Sequence, residues 1–346
     1  MKYSWISNKN INNTKVEHLL NTSLASNQFT NNGPNVKLLE KMIKEKFQID
    51  DTKAIIAVTN GSVALHALAS GIQNDHNHKI KWATQSFTFP PSAQGSLTNA
   101  KIVDIDRDGG LKLDELDESI NGIIVTNIFG NIVDIQKYEN WANENDKFLI
   151  FDNAATPFTF YKRKSCCNYG HGCTISFHHT KPLGFGEGGA IIVDRKYESN
   201  IRCLTNFGFF PGNTNWDREG NNYKMSDISA VYIIQYLDNF DNIVKKHKEL
   251  YRYFKTKLIQ HNMPIKLFPS FHDEDKIMPS CFCLLFDNYD DNIRLKLLEN
   301  NIFCRKYYHP LKNTQNAVDI YQKILCLPCN VDIAKKDIDH FIQLLL

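Results

Sequence analysis

The chain has 346 residues, of which 42% are hydrophobic, so it can bury a large core and we expect two domains. Its 40 basic and 38 acidic residues are mixed along the sequence and leave a net charge of +2, which argues against proteins that bind nucleic acid or anionic membranes. The expected partners are therefore small molecules or a second copy of the chain.

Short runs rich in β-branched residues alternate with helix-like stretches in the first part of the chain. These runs are expected to be strands, at residues 54–58, 101–105, 123–127, 148–152, 174–178 and 190–193. Most of them are apolar throughout, as expected of strands that helices cover on both faces, so the pattern predicts an α/β domain. Ligands of such domains bind at the carboxyl ends of the strands.

A long helical stretch follows the last of these strands and is expected to link two domains. Its apolar and aromatic residues keep helical spacing as far as Phe240, and a charged helix continues from there. A strand-like run at 282–286 and a terminal helix at 334–346 predict a smaller α/β domain. We therefore divide the chain into a large domain of residues 1–236 and a small C-terminal domain of residues 237–346.

The turn after the first strand has the pattern of a phosphate site. Gly61 and Ser62 follow the strand at 54–58 and open a helix whose apolar residues recur at helical spacing. Free backbone N–H groups and the positive end of the helix dipole would face an anion there. Taken alone, Ser62 would more simply be a helix N-cap, so the phosphate interpretation depends on residues elsewhere.

Lys181 and Asp152 together predict a site for pyridoxal phosphate. Lys181 lies in a glycine-rich turn just after the strand at 174–178, where its amine can form a Schiff base. Asp152 ends another strand, and a carboxylate at that place can bind a protonated pyridine nitrogen. Ser176 lies five positions before the lysine and could aim its hydroxyl at the phosphate of the same cofactor.

Two phenylalanines, Phe87 and Phe89, follow a further possible strand and could stack a ring on the pyridine. Ordinary core packing is the alternative for both, and it is favoured for Phe87. Phe89 is therefore the candidate for the cofactor site.

These residues give the chain a resemblance to the nucleotide-sugar aminotransferases of the DegT/DnrJ/StrS type, which use pyridoxal phosphate. The likeness spans nearly the whole chain, and its specific part is Ser-Phe-His-x-x-Lys at 176–181 with Gly-Glu-Gly-Gly at 186–189. It implies the aspartate-aminotransferase architecture, fold type I. In that architecture a large domain with a mixed, mostly parallel sheet carries a smaller C-terminal α/β domain.

The resemblance also implies a role for each site residue. Lys181 would be the Schiff-base lysine and proton shuttle, Asp152 the partner of the ring nitrogen, and Phe89 the residue that stacks on the ring. The residues that would hold the phosphate within one subunit are Gly61, Ser62 and Ser176. Asn222 of the neighbouring subunit would complete the phosphate site, so the active sites would be shared in a homodimer.

The reaction implied by the resemblance is a ping-pong transamination, with L-glutamate as donor and the cofactor alternating between pyridoxal and pyridoxamine 5'-phosphate. The runs at 152–157 and 166–170 look most like the branch that aminates carbon 4 of a dTDP- or UDP-linked 4-keto-6-deoxy-D-glucose, giving the viosamine sugar. The chain departs from the family at Ala155, where a Gln or His often lies near the phenolic oxygen of the cofactor.

Two other functions are compatible with the same fold: a sugar dehydratase and a non-catalytic regulatory protein. A pyridoxal-phosphate sugar dehydratase would have histidine in place of the Schiff-base lysine, so Lys181 argues against it. A non-catalytic regulatory protein that kept the fold would be expected to lose Lys181 or Asp152, and both are present.

Nine cysteines, an odd number scattered over a long chain, indicate reduced thiols rather than a disulfide framework. Cys166, Cys167, His171 and Cys173 lack the paired Cys-x-x-Cys spacing of a structural zinc site, so no metal is predicted. The chain has no run near the roughly 20 apolar residues of a spanning helix. Because residues 1–7 also lack the apolar stretch of a signal peptide, a cytoplasmic location is expected.

Overall fold

The computed structural model describes residues 2–74, 79–210, 216–269 and 277–346, and helices and strands alternate over most of these ranges. The strands are β1 (Lys53–Val58), β2 (Trp82–Gln85), β3 (Lys101–Val103), β4 (Gly122–Thr126), β5 (Phe148–Asp152), β6 (Phe160–Tyr161), β7 (Lys164–Ser165), β8 (Gly172–Ser176), β9 (Gly189–Asp194), β10 (Ile265–Leu267), β11 (Cys281–Phe286) and β12 (Ile324–Pro328). The helices are α1 (Asn13–Ser26), α2 (Pro34–Lys46), α3 (Gly61–Gln73), α4 (Ile135–Glu144), α5 (Glu198–Thr205), α6 (Asp227–Leu237), α7 (Phe240–Gln260), α8 (Asp291–Glu299), α9 (Gln315–Lys323) and α10 (Lys335–Leu345).

Seven strands form a mixed, mostly parallel sheet in the order β1, β9, β8, β5, β4, β2, β3. Within this sheet, neighbouring strands pair in parallel along β3, β2, β4, β5 and β8, whereas β9 pairs antiparallel with both β8 and β1. Strands β1, β4 and β8 are buried along their whole length, as their largely apolar sequences predict. The sheet confirms the predicted α/β class and the fold type I architecture.

Neighbouring residues of the central strands point to opposite faces of the sheet and enter different cores. Ile123 and Leu149 belong to the core that includes α1, α2 and α6, whereas Ile124 and Ile150 face α3 and α5. This alternation follows from the two-residue period of a strand. The polar residues at the strand ends are therefore held by a sheet that is covered on both sides.

Three sequence expectations need correction. The strand predicted at 174–178 ends at Ser176. The strand predicted at 101–105 ends at Val103, because Asp104 turns away and accepts hydrogen bonds from the Thr314 hydroxyl and the Ala317 N–H. The helical stretch expected to continue past Leu237 is two helices, since α6 ends there and α7 starts at Phe240.

The small domain is an antiparallel three-stranded sheet, in the order β10, β11, β12, packed against α7, α8 and α10. Its core includes the rings of Phe254 and Phe282, which stack with centroids 4.4 Å apart. Helix α7 joins the two cores, because Ile243 lies in the large core and Phe254 in the small one. Tyr3 also packs in the small core. The division at residues 236 and 237 stays a proposal.

Within the described ranges, the helices include none that combines the length and the apolar character needed to cross a membrane.

Candidate active site

The carboxyl ends of β4, β5 and β8 open into a cavity of about 580 Å³ between the large sheet and the small domain. Thr126, Asp152 and Ser176, the last residues of these strands, all line it. Six of the seven site residues predicted from the sequence lie in its wall: Gly61, Ser62, Phe89, Asp152, Ser176 and Lys181. Parallel strands bring these residues together although they are far apart in the chain.

The first turn of α3 forms one end of the cavity. Asn60 is the N-cap residue, because its side chain accepts a hydrogen bond from the N–H of Val63 at 3.0 Å. Ser62 is therefore not the cap, and its backbone lies in the first helical turn beside that of Gly61. The free N–H groups of such a turn attract an anion, as the phosphate interpretation requires.

Gly61 and Ser176 approach each other closely at this end. A Cβ atom on residue 61 would lie 3.0 Å from the Ser176 Cβ, so a side chain there would crowd the serine. The Ser176 hydroxyl oxygen accepts a hydrogen bond from the N–H of His178 at 3.2 Å, and Ser176 lines the cavity. Backbone donors and a hydroxyl at one point are a donor set that suits a phosphate.

Asp152 is buried at the end of β5, with 6% of its surface exposed. Its Oδ1 atom accepts hydrogen bonds from the N–H of Ala154 at 3.0 Å and the hydroxyl of Thr174 at 3.2 Å. Burial raises the pKa of Asp152, and these hydrogen bonds and the charge of Lys181 oppose that rise. A buried carboxylate lining a cavity suits a cationic ring nitrogen.

Lys181 lies in the turn between β8 and β9 and lines the same cavity. Burial lowers the pKa of Lys181, while the charges of Asp152 and Cys281 oppose the change. A lysine with a lowered pKa is a better nucleophile at neutral pH, because more of the amine is unprotonated. The amine, the carboxylate and the anion site together match the three groups of pyridoxal phosphate, so these residues fit that cofactor.

The two phenylalanines differ in their surroundings. Phe87 is fully buried and packs edge-on against Phe268 and Tyr308, as the packing interpretation predicts. Phe89 lines the cavity, with 56% of its surface exposed and its ring centroid 6.5 Å from that of Tyr308. An exposed aromatic ring on the wall is available to a flat ligand.

Asn222 is the predicted site residue that does not line the cavity of its own chain. It is exposed and forms an isolated β-bridge with Asn206. Ala155 does line the cavity, so a methyl group lies where the family often has Gln or His.

The cysteine loop before β8 is held by hydrogen bonds within the protein. The thiols of Cys166 and Cys173 donate to the carbonyl oxygens of Thr156 and Cys167. His171 accepts a hydrogen bond from the N–H of Leu149 at 3.1 Å. In the described part of the chain, no His, Cys, Asp and Glu residues group as metal ligands would.

His178 and His179 follow β8 and differ in their surroundings. His178 lines the cavity, and its ring lies 2.8 Å from the Thr180 hydroxyl and 3.3 Å from Glu187. His179 is not part of the cavity wall and packs edge-on against Phe185.

Sequence reasoning missed several residues of the wall. Trp5, Arg305 and Tyr307 form a cluster at the cavity, with the Arg305 guanidinium 5.0 Å from the Trp5 ring centroid and its Nη1 donating to the Tyr307 hydroxyl. Residues 305–311 belong to the family likeness, which spans nearly the whole chain, but no local pattern there indicates a cavity residue. Trp5 gave none, because its place depends on how the N-terminal segment crosses the fold.

Comparisons with known proteins identify the family. The sequence profile of the DegT/DnrJ/EryC1/StrS aminotransferase family matches residues 10–346. The chain is 26% identical to the dTDP-4-amino-4,6-dideoxy-D-glucose transaminase of Shigella dysenteriae, over 91% of this chain and 90% of that protein. It is also 26% identical to the UDP-4-amino-4,6-dideoxy-N-acetyl-beta-L-altrosamine transaminase of Campylobacter jejuni, over 96% of this chain and 93% of that protein.

The fold has counterparts among solved structures. A DegT DnrJ EryC1 StrS aminotransferase from Brucella abortus superposes with a TM-score of 0.83 at 20% identity, over 96% of this chain and 95% of that one. The match over residues 10–346, together with the cavity geometry, shows that the chain belongs to the DegT/DnrJ/EryC1/StrS aminotransferase family and is a pyridoxal-phosphate-dependent aminotransferase.

Proposed function

We propose that this protein transfers the amino group of L-glutamate to carbon 4 of a dTDP- or UDP-linked 4-keto-6-deoxy-D-glucose, giving the 4-amino-4,6-dideoxy sugar viosamine. The observation that carries the proposal is a single cavity that combines the Lys181 amine, the Asp152 carboxylate and the first turn of α3. Its volume of about 580 Å³ lies within the range of small-molecule sites, roughly 300–1,000 Å³.

The names of two relatives support the class of sugar. The Shigella and Campylobacter transaminases are both named for a 4-amino-4,6-dideoxy sugar, one linked to dTDP and the other to UDP. The likeness of residues 152–157 and 166–170 to the viosamine branch favours the glucose configuration. Glutamate as the donor is proposed from the family resemblance.

Asp152 is proposed to hold a proton on the ring nitrogen of the cofactor. Pyridoxal phosphate, when bound, supplies an aldehyde that joins to the donor's amine and a ring that withdraws electrons from the adjoining carbon. A cation beside Asp152 favours its anionic form and so opposes the effect of burial on its pKa. The hydrogen bonds from Ala154 and Thr174 to Oδ1 stabilise the same anion.

Lys181 is proposed to move the proton of the reaction. Its Nζ atom would take a proton from the α-carbon of the donor and return it to the neighbouring carbon. Only an unprotonated amine can do this, and burial, by lowering the pKa of Lys181, increases the unprotonated share. Gly61, Ser62 and Ser176 would hold the phosphate while Lys181 is free.

We also propose a homodimer in which Asn222 of one subunit reaches the cavity of the other. Asn222 is exposed and lies outside the cavity wall of its own chain. The strand pairing around it joins Phe209 to Trp216, and these side chains are 54% and 59% exposed. Large exposed aromatic residues close together are typical of a surface that a partner covers.

Purified protein incubated with glutamate and a panel of dTDP- and UDP-linked 4-keto-6-deoxy sugars would test the proposal, with mass spectrometry and NMR of the products. We expect an amino group at carbon 4 of the glucose-configured sugar, and none with Lys181→Ala. A product aminated at another carbon, or turnover only with another sugar, would contradict the proposed substrate.

A further inference from the structure

The turn that carries Lys181 folds back on itself between β8 and β9. The N–H of Lys181 donates to the carbonyl of His178 at 2.8 Å, and the N–H of Gly184 donates to the carbonyl of Lys181 at 3.0 Å. A side chain at position 184 would collide with the His178 carbonyl, so the tight winding depends on glycine there. The position of the Lys181 side chain follows from this backbone.

A second lysine, Lys9 of the N-terminal segment, donates hydrogen bonds to the same turn. Its Nζ atom donates to the carbonyl oxygens of His179 at 2.6 Å and Lys181 at 3.0 Å, and also to that of Gly184. An ammonium group has three N–H donors, and here each has a carbonyl acceptor from one turn. Without Lys9, three converging carbonyl dipoles would lack this common partner.

Lys9 occupies this place without help from a carboxylate. Burial lowers the pKa of Lys9 to about 7, and no acidic group of the described chain counteracts it. Its amine also lies 4.7 Å from the ring centroid of Tyr236 in α6. A desolvated cation whose polar partners are backbone carbonyls is costly to bury, so its contacts point to a specific role.

The N-terminal segment is fastened on both sides of Lys9. The N–H of Asn8 donates to the Asp332 carboxylate at 2.6 Å, and the N–H of Asn12 donates to the Gln235 amide oxygen at 3.1 Å. Asp332 lies in the small domain, whereas Gln235 belongs to α6 of the large domain. The segment therefore contacts both domains, and these two hydrogen bonds fix the position of Lys9 beside the turn.

We propose that Lys9 is a positioning residue for Lys181. The Lys9 ammonium binds three carbonyl oxygens of the turn, and this contact holds the backbone so that the Lys181 side chain extends into the cavity. The inference rests on the proposed role of Lys181. The effect is geometric, because the influences on the Lys181 pKa are burial, Asp152 and Cys281, and Lys9 is not among them. The N-terminal segment thus contributes to the active site through a backbone contact.

The test separates covalent attachment of the cofactor from its noncovalent binding. Full-length protein freed of cofactor is mixed with pyridoxal phosphate, and the rise in visible absorbance gives the rate of attachment to Lys181. Affinity for 4'-deoxypyridoxine 5'-phosphate, which lacks the aldehyde, reports the phosphate and ring contacts alone. The variant is Lys9→Met, which keeps an apolar stem, and the matched control is Lys15→Met, because Lys15 makes a surface ion pair with Asp238.

Lys9→Met should slow attachment by about 10- to 100-fold, the scale expected when a reacting group is displaced by about 1 Å, while the analogue keeps its affinity. Lys15→Met should match the unaltered protein. If Lys9→Met fails to fold, Lys9→Gln, which keeps two N–H donors, takes its place and should show a smaller slowing of the same kind.

An attachment rate equal to that of Lys15→Met would overturn the inference, and so would an equal loss of analogue affinity and attachment rate. No sugar is used, so this result is independent of the proposed substrate. If borohydride trapped the cofactor on another lysine of the unaltered protein, the role of Lys181 itself would be wrong.

Discussion

The hydroxyl of Thr174 donates a hydrogen bond to Oδ1 of Asp152, at 3.2 Å, across the paired strands β5 and β8. The register of two parallel strands thus places a hydrogen-bond donor beside the proposed ring-nitrogen partner, and a donor to the carboxylate favours its anion. Burial acts in the opposite direction and raises the pKa of Asp152.

Thr174→Val should move the acid side of the pH–activity profile to higher pH. Removing the donor disfavours the anion of Asp152, so its pKa rises and the anion is lost at a higher pH as the solution is acidified. We expect a shift of about one pH unit, equivalent to about 1.4 kcal/mol. The profile of kcat/KM measures it, with Thr174→Ser as a control that keeps a hydroxyl; a shift to lower pH would contradict the account.

Asp152→Asn should keep the fold and lose most of the activity. The amide preserves the shape of the side chain but cannot supply the charge that keeps the ring nitrogen protonated, so we expect a loss of about 10³-fold or more in kcat. Circular dichroism checks the fold. Turnover near that of the unaltered protein would mean that another group protonates the ring.

Borohydride reduction should fix the cofactor to Lys181 and to no other lysine. The amine lines the cavity and burial lowers its pKa, so it is the expected nucleophile. Peptide mapping by mass spectrometry locates the label. Lys181→Ala should lose turnover and the label but still bind the cofactor noncovalently, because the contacts of Gly61, Ser62 and Ser176 remain.

Phe87→Ala should mainly lower stability, whereas Phe89→Ala should mainly weaken cofactor binding. Phe87 is fully buried, so its truncation should lower the free energy of unfolding by about 3–5 kcal/mol. Phe89 is 56% exposed on the cavity wall, so its truncation should cost stability only about 0.5 kcal/mol. Phe89→Ala should weaken cofactor binding by about 0.5–1.5 kcal/mol. Urea unfolding and cofactor titration measure the two effects.

Mixing Lys181→Ala and Asn222→Ala homodimers should restore activity if Asn222 acts across the dimer. After dissociation and reassociation, a hybrid has both lesions in one site and none in the other. Activity should therefore rise above that of either parent. The test requires that subunit exchange is confirmed and that Asn222→Ala alone lowers activity. If no activity returns under these conditions, Asn222 acts within its own subunit.

Local sequence was sufficient for much of the fold and the cavity. The apolar runs around Ile123 and Ile150 predicted strands, because a strand buried on both faces tolerates few polar residues. The rule that ligands bind at the carboxyl ends of strands then predicted that Asp152 and Lys181 belong to one site. The glycine-rich turn indicated Lys181, because a Schiff base with pyridoxal phosphate requires a lysine and this lysine lies just after a strand.

The tertiary structure decided the contacts made by segments that are distant in sequence. Lys9 and Trp5 lie in an N-terminal stretch without helical or strand periodicity, so no local pattern indicates that they reach the active site. Asp104 left its strand because Thr314 and Ala317, more than 200 positions away, supply hydrogen bonds to its carboxylate. Sequence periodicity reports which face of an element is buried, whereas such pairings depend on how the whole chain closes around its two cores.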